Sequence, residues 1–182
     1  MTGNINMVIG SWGSYNACNS RALGSKWLDL SEYSDWEEIE EELKKQGFEL
    51  DGIDEELFIQ DIEGISSDDC NWDYKNPQTF FETLLESGVL TDDYKYKIME
   101  AFLEVRDLKD FEELVEKYGD CWDDDINLYE GMDWEDYGRE MYASSHTIDD
   151  ILDNFFDFER YGEYIGSDSM EKYSGGLIEI VG

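Results

Sequence analysis

The constraint that weighs most on this 182-residue chain is electrostatic: 13 Lys plus Arg face 47 Asp plus Glu, a formal net charge of -34. A disordered acidic tail carries such a surplus without a core, but here the acids alternate with aromatic and aliphatic residues over almost the whole length. With 41% hydrophobic and 15% aromatic residues, the chain has enough apolar surface to close a core. The surplus therefore sits on a folded body. Its self-repulsion destabilises the compact state, so a chain that keeps it is expected to use the field on a positively charged partner.

The single proline, Pro77, and the lack of a Gly/Ser-rich linker predict tightly joined units rather than floppy connections. No stretch approaches the roughly 18 apolar residues of a membrane span, and no basic region precedes an apolar run at the N-terminus, which predicts a soluble, cytoplasmic protein. Anionic lipid headgroups repel such a surface, so no membrane partner is expected. Cys18, Cys70 and Cys121 are odd in number and widely spaced, which reads as reduced core thiols.

Residues 1–28 contain no acidic residue, and Ile5, Met7 and Ile9 alternate as in a strand with one buried face. After turn signals from Gly13 to Asn19, a second strand is expected over Leu23–Leu30 and a third over Glu56–Ile62, forming a small antiparallel sheet. Between the last two, Ser34 and Glu37 fit a capping box, Trp36, Ile39 and Leu43 an apolar stripe, Lys44 and Lys45 a last turn, and Gly47 a stop. The middle reads as helical. Asn76 and Pro77 open a helix with Phe80, Phe81, Leu84 and Leu85 inward and Gly88 at its end; Thr91 caps another carrying Tyr94, Ile98, Phe102 and Leu103. Asp107 caps a third, with Phe111, Leu114, Val115 and Tyr118 before Gly119. The last third predicts a strand over Ile126–Tyr129, helices over Trp134–Tyr142 and Ile148–Tyr164, and a closing strand over Leu177–Val181.

Little here points to catalysis. The only histidine, His146, lies between Ser145 and Thr147 at an expected helix start with no neighbouring cysteine, and no phosphate-cradling Gly-Lys loop, GxSxG elbow or HExxH is present. With so many carboxylates, some pair always resembles a glycosidase dyad, so that pattern carries no weight. Asp123, Asp125 and Asn127 match the first alternating ligands of an EF-hand, but Leu128 stands where the turn Gly belongs and Trp134 where the bidentate Glu belongs. No catalytic residue, metal ligand or cofactor is assigned. A halophile's acidic surface is the bland alternative, opposed by the lysines and by a core rich in Ile, Leu and aromatics.

Direct nucleic-acid binding is excluded, because that affinity comes from Lys and Arg neutralising phosphates. The converse is favoured: the surface fits a basic DNA channel in place of DNA. B-DNA carries about one charge per 1.7 Å of axis, so a surplus of this size corresponds to roughly 58 Å, or about 17 base pairs.

The run Ile9-Gly10-Ser11-Trp12-Gly13-Ser14-Tyr15-Asn16, then Gly24-Ser25-Lys26-Trp27-Leu28-Asp29-Leu30, the acidic helix after Asp35, and Phe58-Ile59-Gln60-Asp61 resemble the opening of the ArdA antirestriction proteins of mobile genetic elements. Leu128-Tyr129-Glu130-Gly131-Met132-Asp133-Trp134-Glu135-Asp136-Tyr137 is similar to that family's acidic segment, and Phe158-Glu159-Arg160-Tyr161-Gly162 continues the similarity. The resemblance covers nearly the whole chain. It implies an elongated protein of three small domains that pairs through its C-terminal region, imitates bent B-form DNA, and targets the methyltransferase and specificity core of type I restriction-modification enzymes. Extra residues around Ile65 to Asn76, and Gly138 inside an expected helix, depart from the pattern.

The reading is thus an α+β chain with an N-terminal α+β unit over 1–64, a helical unit over 65–119, and a C-terminal α+β unit over 120–182 that forms the homodimer. The function expected is non-enzymatic: a DNA mimic that blocks DNA binding, cleavage and modification. The contact surface is assigned to Glu37, Glu38, Glu41 and Glu42; Asp92 and Asp93; Glu112, Glu113 and Glu116; and Asp123, Asp124, Asp125, Glu130, Asp133, Glu135 and Asp136. The alternatives are an acidic decoy or chaperone for another basic DNA-binding protein, and a calcium-responsive acidic module.

Overall fold

The computed structural model describes residues 4–65 and 75–181. Two small antiparallel sheets and eight α-helices follow one another as an α+β chain among these residues. Strand β1 (Asn6–Ser11) runs between β2 (Leu28–Asp29) and β3 (Leu57–Glu63), with a bulge between Val8 and Ile9. Met7 to Ser11 are buried on both faces, not on one as the alternation predicted. One face meets α2 (Trp36–Lys45) through Ile39 and Leu43. The turn expected from Gly13 to Asn19 holds a short helix, α1 (Trp12–Asn16).

The expected strand over Leu23–Leu30 shrinks to Leu28–Asp29, and the cause is Gly24. Its φ of +79° is a left-handed conformation, and a side chain there would come within 2.7 Å of Gln60 Oε1 and 2.8 Å of Val8 Cγ1. Ser25 still touches β1, its N–H donating to Ile9 O (2.8 Å) and its Oγ accepting from Ile9 N (3.0 Å).

Helix punctuation is shifted by one residue in two places. Asp35 caps α2 by accepting from Glu38 N (3.0 Å), while the Glu38 carboxylate accepts from Ser34 N (2.8 Å); the box is built on Asp35 and Glu38, not on Ser34 and Glu37. A carboxylate at this position also faces the positive end of the helix dipole. Likewise Asp92, not Thr91, caps α4 (Asp93–Val105), because the Thr91 hydroxyl donates to Gly88 O. Helices α3 (Pro77–Ser87) and α5 (Leu108–Tyr118) begin and end where the sequence places them, from Asn76 to Gly88 and from Asp107 to Gly119. Tyr94 and Tyr118 are exposed rather than inward, since each lies at a helix end beyond the packed turns.

One continuous apolar cluster joins β1, β3, α2, α3, α4 and α5 to one face of the second sheet, through Ile126 and Ile178. That sheet has the order β4-β6-β5: β4 (Ile126–Glu130), β6 (Gly176–Ile180), and β5 (Met170–Tyr173), a strand the sequence did not announce. Its other face packs Leu177 and Met170 on Tyr137 of α6 (Trp134–Ala143). Residues expected as one helix over Ile148–Tyr164 form α7 (Asp150–Phe155) and α8 (Phe158–Gly166), because Asp157 starts a new helix by accepting from Arg160 N.

Gly138 has a packing reason. Helices α6 and α8 cross so closely that a Cβ on Gly138 would overlap the Phe158 carbonyl, and one on Gly162 would overlap that of Trp134. Gly138→Ala is therefore expected to push the helices apart and destabilise the protein by about 2 kcal/mol, as overpacking of a tight contact does. Denaturant unfolding checks this, and unchanged stability would contradict the packing role assigned to Gly138.

Cys18 and Cys121 are exposed, which corrects their reading as core thiols. Cys18 sits at φ +49° in the turn after α1, and Cys121 in a one-turn 3-10 helix, so neither backbone segment enters the core. Cys70, and most of the extra stretch around Ile65 to Asn76, lie outside the described residues.

Candidate functional site

On α2 the acidic residues share a helix but not a role. Glu38 is engaged in the cap, and Glu42 accepts from Gln46 Nε2 (3.1 Å) and Lys45 Nζ (3.5 Å), which hold its carboxyl below the usual range. Glu37 and Glu41 are exposed and form no ion pair with a described residue; at i,i+4 they are neighbours on the helix surface, with Cβ atoms about 5–6 Å apart. In the helical region, Asp92 is spent on its cap, Asp93 is exposed in the first turn of α4, Glu112 pairs with Lys75 (2.7 Å) and Glu113 with Lys109 (3.0 Å). Glu116 stays exposed and unpaired among the described residues.

Around β4 the pattern repeats. Asp123 is half-buried with Lys95 at 3.4 Å, Glu130 pairs with Lys97 at 2.8 Å, Asp133 caps α6, and Glu135 pairs with Arg139 at 3.0 Å. Asp124, Asp125 and Asp136 remain exposed without a described cation. The three EF-hand-like positions diverge: Asp123 goes to Lys95, and Asn127 donates to Glu179 (3.2 Å). No group of three or more His, Cys, Asp or Glu side chains among the described residues is placed to hold a metal ion. His146 follows the end of α6 rather than starting a helix; its ring stacks on Tyr142 at 4.6 Å.

The field left by these acids shows in the groups around them. Burial first, then Glu179, pushes the Tyr129 phenol up to about 12; burial first, then Glu100, does the same to Tyr96. Burial lowers Lys95, but Asp120 and Asp123 outweigh it and raise the ammonium above its ordinary value. For the two phenols burial is the larger cause and the carboxylates add to it; for Lys95 the carboxylates act against burial and prevail.

One buried carboxylate was missed. Asp54, fully buried, accepts from the Ser14 hydroxyl and from Glu49 N (2.8 Å) and pairs with Arg21 Nε (3.0 Å). Its only sequence signal is position: an acid inside the Gly52-Ile53-Asp54 turn, beside the acid-free N-terminal segment that supplies its partners.

The model of the antirestriction protein ArdA family matches residues 7–179, from β1 to β6. This chain belongs to the ArdA antirestriction family. No individual curated protein is matched alongside it. Membership in the ArdA family brings an antirestriction function, that of an inhibitor. No helix among the described residues is long and apolar enough to cross a membrane.

Proposed function

We propose that this ArdA-family protein inhibits type I restriction-modification enzymes by occupying, as an acidic mimic of bent B-form DNA, the groove of their methyltransferase and specificity core. One observation carries the reading: among the described residues Asp54 is the sole buried carboxylate, so the other described acids lie at or near the surface. Nine of the thirteen lysines and arginines are held in pairs with neighbouring acids, which cancels those acids and leaves the unpaired ones to set the outer field. Carboxylates fixed on capped helices also lose less freedom on binding than those of a flexible tail.

Complementary charge steers the encounter, and steric occupation of the groove then blocks DNA binding, cleavage and modification with no covalent step. We assign three units along an axis, 1–64, 65–119 and 120–182, and a homodimer through the last. Ile151, Phe155 and Tyr164, exposed on α7 and α8, supply apolar surface for that contact and so lengthen the acidic track. The setting is the cytoplasm, where the target meets the DNA of an incoming mobile element.

Competition with labelled DNA for a purified type I methyltransferase tests this. Displacement is expected to be competitive and to weaken as rising salt shortens the Debye length below about 10 Å. A ternary complex with DNA still bound, or inhibition indifferent to salt, would sink the mimicry.

A further inference from the structure

Helix α4 meets the second sheet beside a cleft of about 250 Å³. Tyr96 and Ala101 of α4 line one side of it, and Leu128 of β4 and Tyr173 of β5 the other. Two aromatic and two aliphatic side chains thus wall an opening that also carries charge: the carboxylates of Glu100, Glu104 and Glu130 against the single ammonium of Lys97. Lys97 is spent on Glu130, with Nζ 2.9 Å from Oε1 and 2.8 Å from Oε2. Arg106, which caps the end of α4 just beyond Glu104, is held by Glu171 and brings no surplus of its own. The lining therefore keeps a negative balance after its pairs are counted.

Glu104 is the acid that the cleft holds ready. Its Oε2 accepts from Ser174 N (2.6 Å) and its Oε1 from the Ser174 hydroxyl (2.7 Å), and it forms no ion pair with a described residue. An ionised carboxylate offers about four lone-pair sites, so both oxygens keep room for a further donor. Glu104–Ser174, Lys97–Glu130 and Arg106–Glu171 all bridge α4 to the sheet, and the Tyr96 hydroxyl donates to Gly64 O on its other side. A cleft tied at this many points is already ordered for binding, which removes part of the entropic cost.

We infer that this cleft receives an arginine side chain from the basic DNA channel of the target, with Glu104 accepting from its guanidinium between Tyr96 and Tyr173. The inference rests on the proposed occupation of that channel. Charge complementarity selects a cation, and the walls select which one. A guanidinium is planar and weakly hydrated, stacks on aromatic rings and bonds a carboxylate through two N–H groups, whereas an ammonium is compact and gives up its water reluctantly beside apolar walls. The arginine stem finds Ala101 and Leu128 to cover it. A DNA phosphate offers its arginine no such walls, so the cleft supplies an anchor that charge imitation alone does not.

Titration with N-acetylargininamide, N-acetyllysinamide and the neutral citrulline analogue, followed by NMR, tests the cleft without the target. The arginine compound is expected to shift the methyl signals of Ala101 and Leu128 and to bind about fivefold tighter than the lysine compound, with no binding by citrulline. Glu104→Gln, whose amide oxygen can still accept from Ser174, and Tyr173→Leu, which keeps apolar volume, should each abolish the arginine preference; matched circular dichroism and melting show that both are folded. In binding to the purified methyltransferase, Glu104→Gln is expected to cost about tenfold, against about twofold for Glu41→Gln, which removes the same charge from an open helix face. Equal affinity for the arginine and lysine compounds, shifts spread over α2 rather than centred on the cleft, or a preference that survives both variants overturns the inference even where competition with DNA holds. If the arginine compound binds in the cleft as expected but the protein does not compete with DNA for the methyltransferase, the mimicry falls, and with it the arginine's assignment to the DNA channel, while the cleft stands as an arginine-binding site.

Discussion

Changing Glu37, Glu41, Glu116, Asp124, Asp125 and Asp136 together to their amides is expected to weaken binding to a type I methyltransferase by about two orders of magnitude while leaving the fold as stable or more so. These side chains are the candidate acids that the structure leaves exposed and without a described cation or cap. Exposed charge pairs contribute about 0.2–1 kcal/mol each, so the set at roughly 0.5 apiece totals about 3 kcal/mol. At 1.4 kcal/mol per decade that is somewhat more than a hundredfold. No single member should dominate, because the interaction is spread along a surface rather than concentrated in one pocket. The ratio of variant to wild-type affinity should shrink toward one as salt rises. Changing the paired acids Glu112, Glu113, Glu130 and Glu135 instead is expected to lower the melting temperature as well, since Lys75, Lys109 and Lys97 lose these partners and Arg139 keeps only Asp153. Inhibition titrations beside thermal melts separate the two sets. Undiminished inhibition by the fully amidated variant, or complete loss from one exposed acid alone, would contradict a distributed electrostatic surface.

That distinction between engaged and unengaged acids marks where the sequence stops being readable. Local rules fix α3 and α5, because an Asn or Asp at one end, a glycine at the other and an apolar stripe between them decide the outcome within a dozen residues. The charge surplus and its outward placement follow from composition, since carboxylates are seldom buried. What is decided by distant partners was hidden. Strand β5 exists because β6 pairs with it, and β2 is short because Gly24 meets Val8 and Gln60 across the sheet. The same holds for the ion pairs: Lys75 with Glu112 and Lys97 with Glu130 are more than thirty residues apart, and no periodicity announces them. Gly138 looked out of place in a helix until α8 was laid across it.

Asp54→Ala is expected to cost about 3 kcal/mol, making it the most damaging single carboxylate to lose. Breaking a buried ion pair costs roughly 3–5 kcal/mol because the remaining group stays desolvated, and the partial exposure of Arg21 keeps the value at the low end. Ser14 and Glu49 N would lose their acceptor too. For a chain of this size the melting temperature should fall by about 6–12 °C. The pH dependence follows from the same contacts. Burial alone would raise the Asp54 carboxyl, but the hydrogen bonds from Glu49 N, Ser14 and Ser11, with the Arg21 guanidinium, outweigh it and hold it below the usual carboxylate range. A depressed folded-state pKa contributes stability that is present above the unfolded value of about 3.9 and is lost as pH falls through the folded value. Acidification from neutrality toward pH 5 meanwhile relieves repulsion over the whole surface and should raise both melting curves in parallel. The gap between wild type and Asp54→Ala is therefore expected to stay constant from pH 7 to about 5 and to close only below about 4. A melting temperature within about 2 °C of wild type at pH 7 would show that this buried network holds nothing in place.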